Sequence, residues 1–234
     1  DDKGSICGFV TRNTTAKKGS STAKFCNTSN KCPIYNKSGI LFNFCEAKKV
    51  VPPLIITESY LDTITLVSKG VHNVVGIGAT ALTDEHIELI RNHEINNIIL
   101  SLDFDKAGVE ATSKYVNQLS GRPGLALSIK VLPEGFHDEE VVDPEDYVRK
   151  YGIDAFKSMP VIGAFEWKLL NSDYRSEPYD LAIKTVPIIA NEPSFIEREK
   201  QCKVLAKHTG VDLQVIKEEL ERVSNVESAR KTAM

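Results

Sequence analysis

Between residues 50 and 150, short apolar runs alternate with helical patterns, and this alternation constrains the fold more than any other feature of the chain. "PLIIT", "HNVVGIG", "NIILSLD" and "ALSIKVLP" have strand length and are rich in β-branched and aliphatic residues. Between them stand "SYLDTITLVSKG", "TDEHIELIRNH" and "AGVEATSKYVNQL", whose apolar positions recur at helical spacing. Gly70 marks a helix stop, and Thr83 an N-cap with acids in the first turn. Strands that alternate with helices imply right-handed crossovers and a mostly parallel sheet.

The flanks differ from this middle. Residues 1–49 are rich in Lys, Thr, Ser and Asn and predict loops and short strands. They carry Arg12, Lys17, Lys18, Lys24, Lys31 and Lys37, against Glu46 as the one acid after Asp1 and Asp2. The overall net charge of -3 therefore hides a basic end, and any nucleic-acid contact must rely on local patches. From residue 151 the strand pattern is lost. "AFEWKLL", "DLAIKTVPIIAN", "SFIEREKQCKVLAKHTG" and "DLQVIKEELERV" predict helices, with Trp167 in the core, Pro187 kinking or ending its helix and Asp212 capping the last one. The polar tail after Val223 is expected to fray.

The expected organisation is an α/β fold: a mostly parallel sheet flanked by helices over 50–152, preceded by a basic α+β portion over 1–49 and followed by a helical portion over 153–234. No run resembles a membrane span, which favours a cytoplasmic protein. The five cysteines are odd in number and contain no C-x-x-C pair, so reduced thiols are expected rather than a zinc site.

The chemistry gathers where strands end, because an open parallel sheet places its functional groups at the carboxyl edge. Glu58 follows "PLIIT" directly, Asp103 and Asp105 close "NIILSLDFD", and Asp143 and Glu145 follow "ALSIKVLP" after a loop. Asp62 stands four residues after Glu58, on the same helical face if the helix starts at once. Each acid taken singly is an ordinary turn or cap residue. Together they pose an electrostatic problem: two carboxylates about 4 Å apart repel by roughly 1 kcal/mol in water and about 4 kcal/mol at an effective dielectric near 20. They splay into solvent, take up protons or share a cation. Hard oxygen ligands suit Mg²⁺ or Mn²⁺.

"TESYLDTITL", "LSLDFDKAG" and "VVDPEDYVRKYG", in that order, resemble the TOPRIM domain of bacterial DnaG-type primases, whose pattern is E-G-Y-x-D, D-x-D-x-A-G and D-P-D. "KFCNTSNKCPIYNKSGILFN" is similar to the stretch just upstream in that family, and "EREKQCKVLAKHTGVDLQVIKEEL" to the helical segment downstream. The resemblance covers residues 6–222, with Ser59 in place of a Gly and Glu145, beside Asp146, in place of the second Asp of D-P-D. It implies a fragment of a primase core, without the zinc-binding module expected before it and the helicase-binding module expected after it. Zinc would belong only to the absent module, and the replicative helicase would bind through a region not present.

The resemblance implies synthesis of short RNA primers on single-stranded DNA from ribonucleoside triphosphates by metal-dependent nucleotidyl transfer. By it, Asp103, Asp105 and Asp143 hold Mg²⁺ or Mn²⁺, with Glu145 or Asp146 assisting. Glu58 is a further ligand and the general base, and Asp62 supports them from behind. Lys24, Asn27, Lys37 and Arg12 match positions near nucleotide and template phosphates. Lys106 tempers the local negative charge, Tyr60 packs, and Gly76 and Gly78 serve either a phosphate or a tight turn. The rivals are a TOPRIM nuclease or topoisomerase-like strand breaker, and an inactive primase-like module that only grips DNA.

Overall fold

The structure, a computed structural model, describes residues 1–14, 25–29, 31–78, 81–172 and 177–232, with side chains through residue 225. Two units divide the chain, residues 1–161 and 162–234.

The first unit opens with an antiparallel hairpin of β1 (Val10–Arg12) and β2 (Phe25–Asn27), with Val10 opposite Asn27 and Arg12 opposite Phe25. A single 3₁₀ turn follows at Lys37–Gly39, then α1 (Phe44–Ala47). The stretch "ILFN" fastens this basic portion to the sheet. Phe42 exchanges both backbone hydrogen bonds with Gly76, Asn43 adopts a left-handed backbone and donates its amide to the Val74 carbonyl, and Leu41 and Phe44 are buried.

The sheet is built from β3 (Leu54–Thr57), β4 (Val74–Gly76), β5 (Asn97–Leu100), β6 (Ala126–Lys130) and β7 (Val161–Gly163), in the order β4-β3-β5-β6-β7. Pairs β3–β4, β3–β5 and β5–β6 are parallel. Their connections are α2 (Tyr60–Ser68), α3 (Asp84–Asn92) and α4 (Lys106–Leu119). The β6–β7 connection holds α5 (Pro144–Tyr151) and α6 (Ile153–Ser158). All four residues of β3 are buried, as a strand covered on both faces must be. One core cluster joins Ile55 and Val74 to Leu66, Tyr147, Val148 and Phe156. The helix stop at Gly70, with φ of +87°, and the Thr83 cap stand where the sequence placed them.

β7 corrects the expectation that strands end before residue 151. Its three residues are too short to leave a periodic signal.

The second unit contains α7 (Ala164–Leu170), α8 (Pro178–Ala190), α9 (Phe195–Thr209) and α10 (Leu213–Thr232). Leu169, Leu181, Val186, Ile189, Cys202, Leu205 and Ile216 form its core, and Trp167 is buried as expected. Asp212 accepts a hydrogen bond from the Gln214 backbone N–H at 2.7 Å, the expected cap. Pro187 does not end α8, which runs on to Ala190. The carbonyl left without its donor belongs to Ile183, a residue 64% exposed on the outer face, while Val186 and Ile189 hold the inner face in the core. Residues 224–232 are also helical rather than frayed, since they include good helix formers and no Gly or Pro.

Candidate active site at the carboxyl edge of the sheet

Chain order and sheet order part company at β3. The next strand, β4, pairs on one side of it, and β5 pairs on the other. The crevice of an open α/β sheet forms at such a switch point. Ile56 stands opposite Leu100, so Glu58 and Asp103 emerge just past the same rung of neighbouring strands.

Three helices begin at this edge, and each is capped by one of the acids or beside one. Ser59 is the N-cap of α2: its hydroxyl accepts from the Asp62 N–H at 3.1 Å, and its own N–H donates to Asp62 Oδ2 at 3.2 Å. Asp105 caps α4, accepting from the Gly108 N–H at 2.9 Å. Asp143 caps α5, accepting from the Asp146 N–H at 2.7 Å. The positive ends of three helix dipoles thus face the acids and lessen the repulsion. Capping and clustering are satisfied by the same side chains.

The helix does not start at once after Glu58. The Ser59 backbone is extended, with φ of -107°, as a cap requires. Glu58 consequently precedes α2, and the shared helical face with Asp62 does not form. Asp62 points inward instead. It is 1% exposed, and its Oδ1 accepts from the Glu145 N–H at 3.1 Å, which ties the start of α5 to α2.

The packing beneath is close. A Cβ on Gly108 would lie 2.0 Å from the Asp103 carbonyl oxygen, so the Gly of D-x-D-x-A-G is what lets α4 start against this strand end. Phe104 donates its N–H to the Val142 carbonyl at 2.7 Å and packs edge-on against Tyr147, coupling the aspartate pair to the loop that leads to Asp143. Gly76 and Gly78 approach their own chain. Added Cβ atoms would lie 2.6 Å from Thr63 Oγ1 and 2.3 Å from the Tyr60 hydroxyl, and Gly78 has φ of +71°.

The electrostatics follow from this crowding. Burial and then Glu58, Asp62, Asp143 and Asp105 push the Asp103 carboxyl up to about 8. Burial raises Asp62 to about 6, with Asp143 adding to it and the Ser59 hydrogen bond opposing it. Glu58 is raised by burial and by Asp105. Among the described residues no Lys, Arg or His forms an ion pair with Glu58, Asp62, Asp103 or Asp105. Lys106 reaches outward to Glu110 at 3.9 Å, away from the acids. Glu145 pairs with Arg149 along α5, and Asp146 lies 3.7 Å from the same guanidinium.

A hard divalent cation fits this donor set by its chemistry: only carboxylate oxygens, crowded and partly desolvated, with Glu58, Asp103 and Asp105 forming no ion pair to Lys, Arg or His among the described residues. As they stand, no three His, Cys, Asp or Glu side chains among the described residues are gathered closely enough to chelate one, so binding requires the carboxylates to swing inward.

The basic portion separates in space. Asn27 and Lys37 line one cavity of about 230 Å³, together with Tyr35, Phe42 and Tyr60. Tyr60 donates its hydroxyl to Asn27 Oδ1 at 3.0 Å and stands edge-on to Phe42 and Phe25. It therefore does more than pack, since it links the start of α2 to β2. Burial, then the neighbouring Tyr35, raises its phenol to about 12. Arg12 is exposed on β1 with its guanidinium 5.8 Å from the Phe25 ring centre. Lys24, Lys17 and Lys18 lie outside the described residues.

Comparison with known proteins agrees with this geometry. Residues 55–148 match the Toprim-like family. The DNA primase of Listeria monocytogenes is 29% identical over 246 residues, covering 100% of this chain and 38% of that protein. The Staphylococcus aureus DNA primase is 36% identical over 157 residues, 66% of this chain and 24% of that one. The chain thus spans little more than a third of the length of the Listeria relative. A DnaG primase catalytic domain solved bound to single-stranded DNA superposes with a TM-score of 0.62 at 26% identity, covering 92% of this chain and 68% of that one. With its Toprim-like sheet and its acid-lined edge, the chain is similar to bacterial DNA primases along its whole length.

Proposed function

We propose that this chain acts in the catalytic core of a DNA primase, joining ribonucleotides into short RNA primers on single-stranded DNA. The observation that carries the reading is that Glu58, Asp103, Asp105 and Asp143 stand at strand ends on one edge of the sheet, where the other three repel Asp103, and that Glu58, Asp103 and Asp105 have no ion pair to Lys, Arg or His among the described residues. The single-stranded DNA in the related catalytic domain supports the same template here.

In this reading Asp103, Asp105 and Asp143 hold Mg²⁺ or Mn²⁺, with Glu58 and Glu145 as further oxygen donors. The bound ions would supply charge neutralisation for phosphoryl transfer. A primer 3′ hydroxyl attacks the α-phosphorus of a ribonucleoside triphosphate, and pyrophosphate leaves. Glu58 accepts the hydroxyl proton. Asp62 keeps the starts of α2 and α5 together and so fixes Asp143 relative to Glu58. Asn27 and Lys37 face phosphate oxygens of the nucleotide. Arg12 and Lys24 extend a sequence-tolerant, salt-sensitive track for the template. The replicative helicase as partner follows from the likeness to primases.

The test incubates the protein with single-stranded DNA, labelled ribonucleotides and Mg²⁺ or Mn²⁺, beside Asp103→Ala. Short RNA that depends on Asp103 supports the proposal. Cleaved DNA without synthesis identifies a nuclease, and DNA binding with neither identifies a module that only grips DNA; either outcome overturns it.

A further inference from the structure

We propose that His86 is a positioning residue for Lys37: through its ring, the first turn of α3 clamps the 36–40 turn and so aims Lys37 at the cavity it shares with Asn27 and Tyr60. The inference rests on the reading above, in which Lys37 meets the phosphates of the nucleotide.

The 36–40 turn is held from α3 at several points. Thr83 donates its hydroxyl to the Ser38 carbonyl while accepting from the His86 N–H at 3.1 Å. Asn36 donates its amide to Glu85 Oε2 at 3.1 Å, and its Oδ1 accepts from the Ser38 N–H at 3.2 Å. A Cβ on Gly39 would come within 2.8 Å of the Asn36 amide nitrogen, so a side chain there would displace the amide that bonds Glu85.

His86 sits beneath the turn with no exposed surface. Its Nδ1 accepts from the Thr83 N–H at 3.2 Å. An amide can only donate, so the neutral ring carries its proton on Nε2. Burial holds the ring below the usual imidazole value, which keeps it neutral, and the nearby backbone of Ile40 and Lys37 works against that shift. The Nε2 N–H is fully buried and has no hydrogen-bond partner among the described residues. A helix cap alone does not explain it. Glu at this position closes the same capping box with no buried N–H donor left over. The buried donor is explained if its work lies at the turn, on the backbone of the residue that lines the cavity.

The test is the dissociation constant of a fluorescent GTP analogue, measured for the wild type, Lys37→Ala, His86→Leu, His86→Gln, Glu85→Ala and the doubles with Lys37→Ala. Lys37→Ala should weaken binding about tenfold, the scale of one lost charge-assisted hydrogen bond. His86→Leu should weaken it by roughly threefold to tenfold, and Glu85→Ala by less. Gln can accept from Thr83 and donate toward the turn, so His86→Gln should bind within about twofold of wild type. In the Lys37→Ala background the His86 and Glu85 effects should vanish, an outcome that a merely structural role would not give. Glu85 is exposed, so Glu85→Ala keeps the test alive if His86→Leu fails to fold. Unchanged binding in Lys37→Ala overturns the role of Lys37 and the proposal with it. Weakened binding in Lys37→Ala, with none in His86→Leu or Glu85→Ala or with effects that persist in the doubles, overturns the clamp alone.

Discussion

The acids at the edge of the sheet and the acids of the helical unit differ in what stands opposite them. In the helical unit Glu166 faces His208 at 2.7 Å, Glu199 faces Lys217 at 2.8 Å and Lys203 at 3.4 Å, and Glu219 pairs with Arg222. Hydrogen bonding to Lys217 holds Glu199 below the usual carboxylate value. At the sheet edge the helix N-termini are the main compensation, and Asp103, Asp62 and Glu58 are all raised. The first arrangement is complete within the chain. The second leaves a charge deficit that an external cation can fill, which is how a site differs from a scaffold in electrostatic terms.

The two regions carry opposite pH signatures. Asp103 is pushed up to about 8 in the folded chain from an ordinary 3.8, so the folded form binds more protons between those values. The stability it contributes is whole below about pH 4 and is lost as pH rises through 8. Glu199 is lowered, so its contribution is present above the unfolded value and is lost as pH falls through the folded one. Hydrogen exchange followed from pH 5 to pH 8 without divalent ions should show protection falling in β3 and β5 and holding in α9. Equal slopes in both would erase the contrast.

The largest single effect is expected at Asp103. Asp103→Asn should lower primer synthesis by about 10³-fold while raising the metal-free Tm, because it removes a repelled carboxyl and keeps its shape. Loss of activity together with loss of stability would mean that the residue is merely structural. Next comes Gly108→Ala, whose Cβ meets the Asp103 carbonyl at 2.0 Å. Urea unfolding should register about 3 kcal/mol of destabilisation, and an unaltered midpoint would show that α4 can start elsewhere. Ser59→Ala removes a cap and should cost about 1 kcal/mol, whereas Ser59→Gly should cost only a few tenths. Equal costs would deny the capping box. The smallest effect belongs to the completed region, where Glu199→Gln should move Tm by no more than about 2 °C, and less in high salt.

The sheet was legible in the sequence because its strands are apolar runs and its crossover helices keep an apolar stripe, so each element announces itself locally. The acids were legible because they stand at strand ends. Less legible was how they are held. That Asp105 and Asp143 cap the helices that follow them is visible in D-x-x-G and D-P-E-D as a possibility, but capping and clustering looked like rival roles until one geometry satisfied both. Where α2 begins was less legible, because an extended cap and a first helical residue differ by one position, and the pattern does not resolve one position. Asp62 turned inward for a partner, the Glu145 N–H, that lies far along the chain. His86 left no signal beyond its place three residues after Thr83. The turn it stands beneath precedes it by more than forty residues and is bonded by its neighbour Thr83.

The central claim is that Glu58, Asp103, Asp105 and Asp143 share a divalent cation. Isothermal titration with Mn²⁺ at pH 8, for the wild type and Asp103→Asn, tests it most directly. The account predicts saturable uptake by the wild type, accompanied by proton release and a higher Tm, and its loss in the variant. Absence of uptake by the folded wild type, or the same uptake by Asp103→Asn, would contradict it.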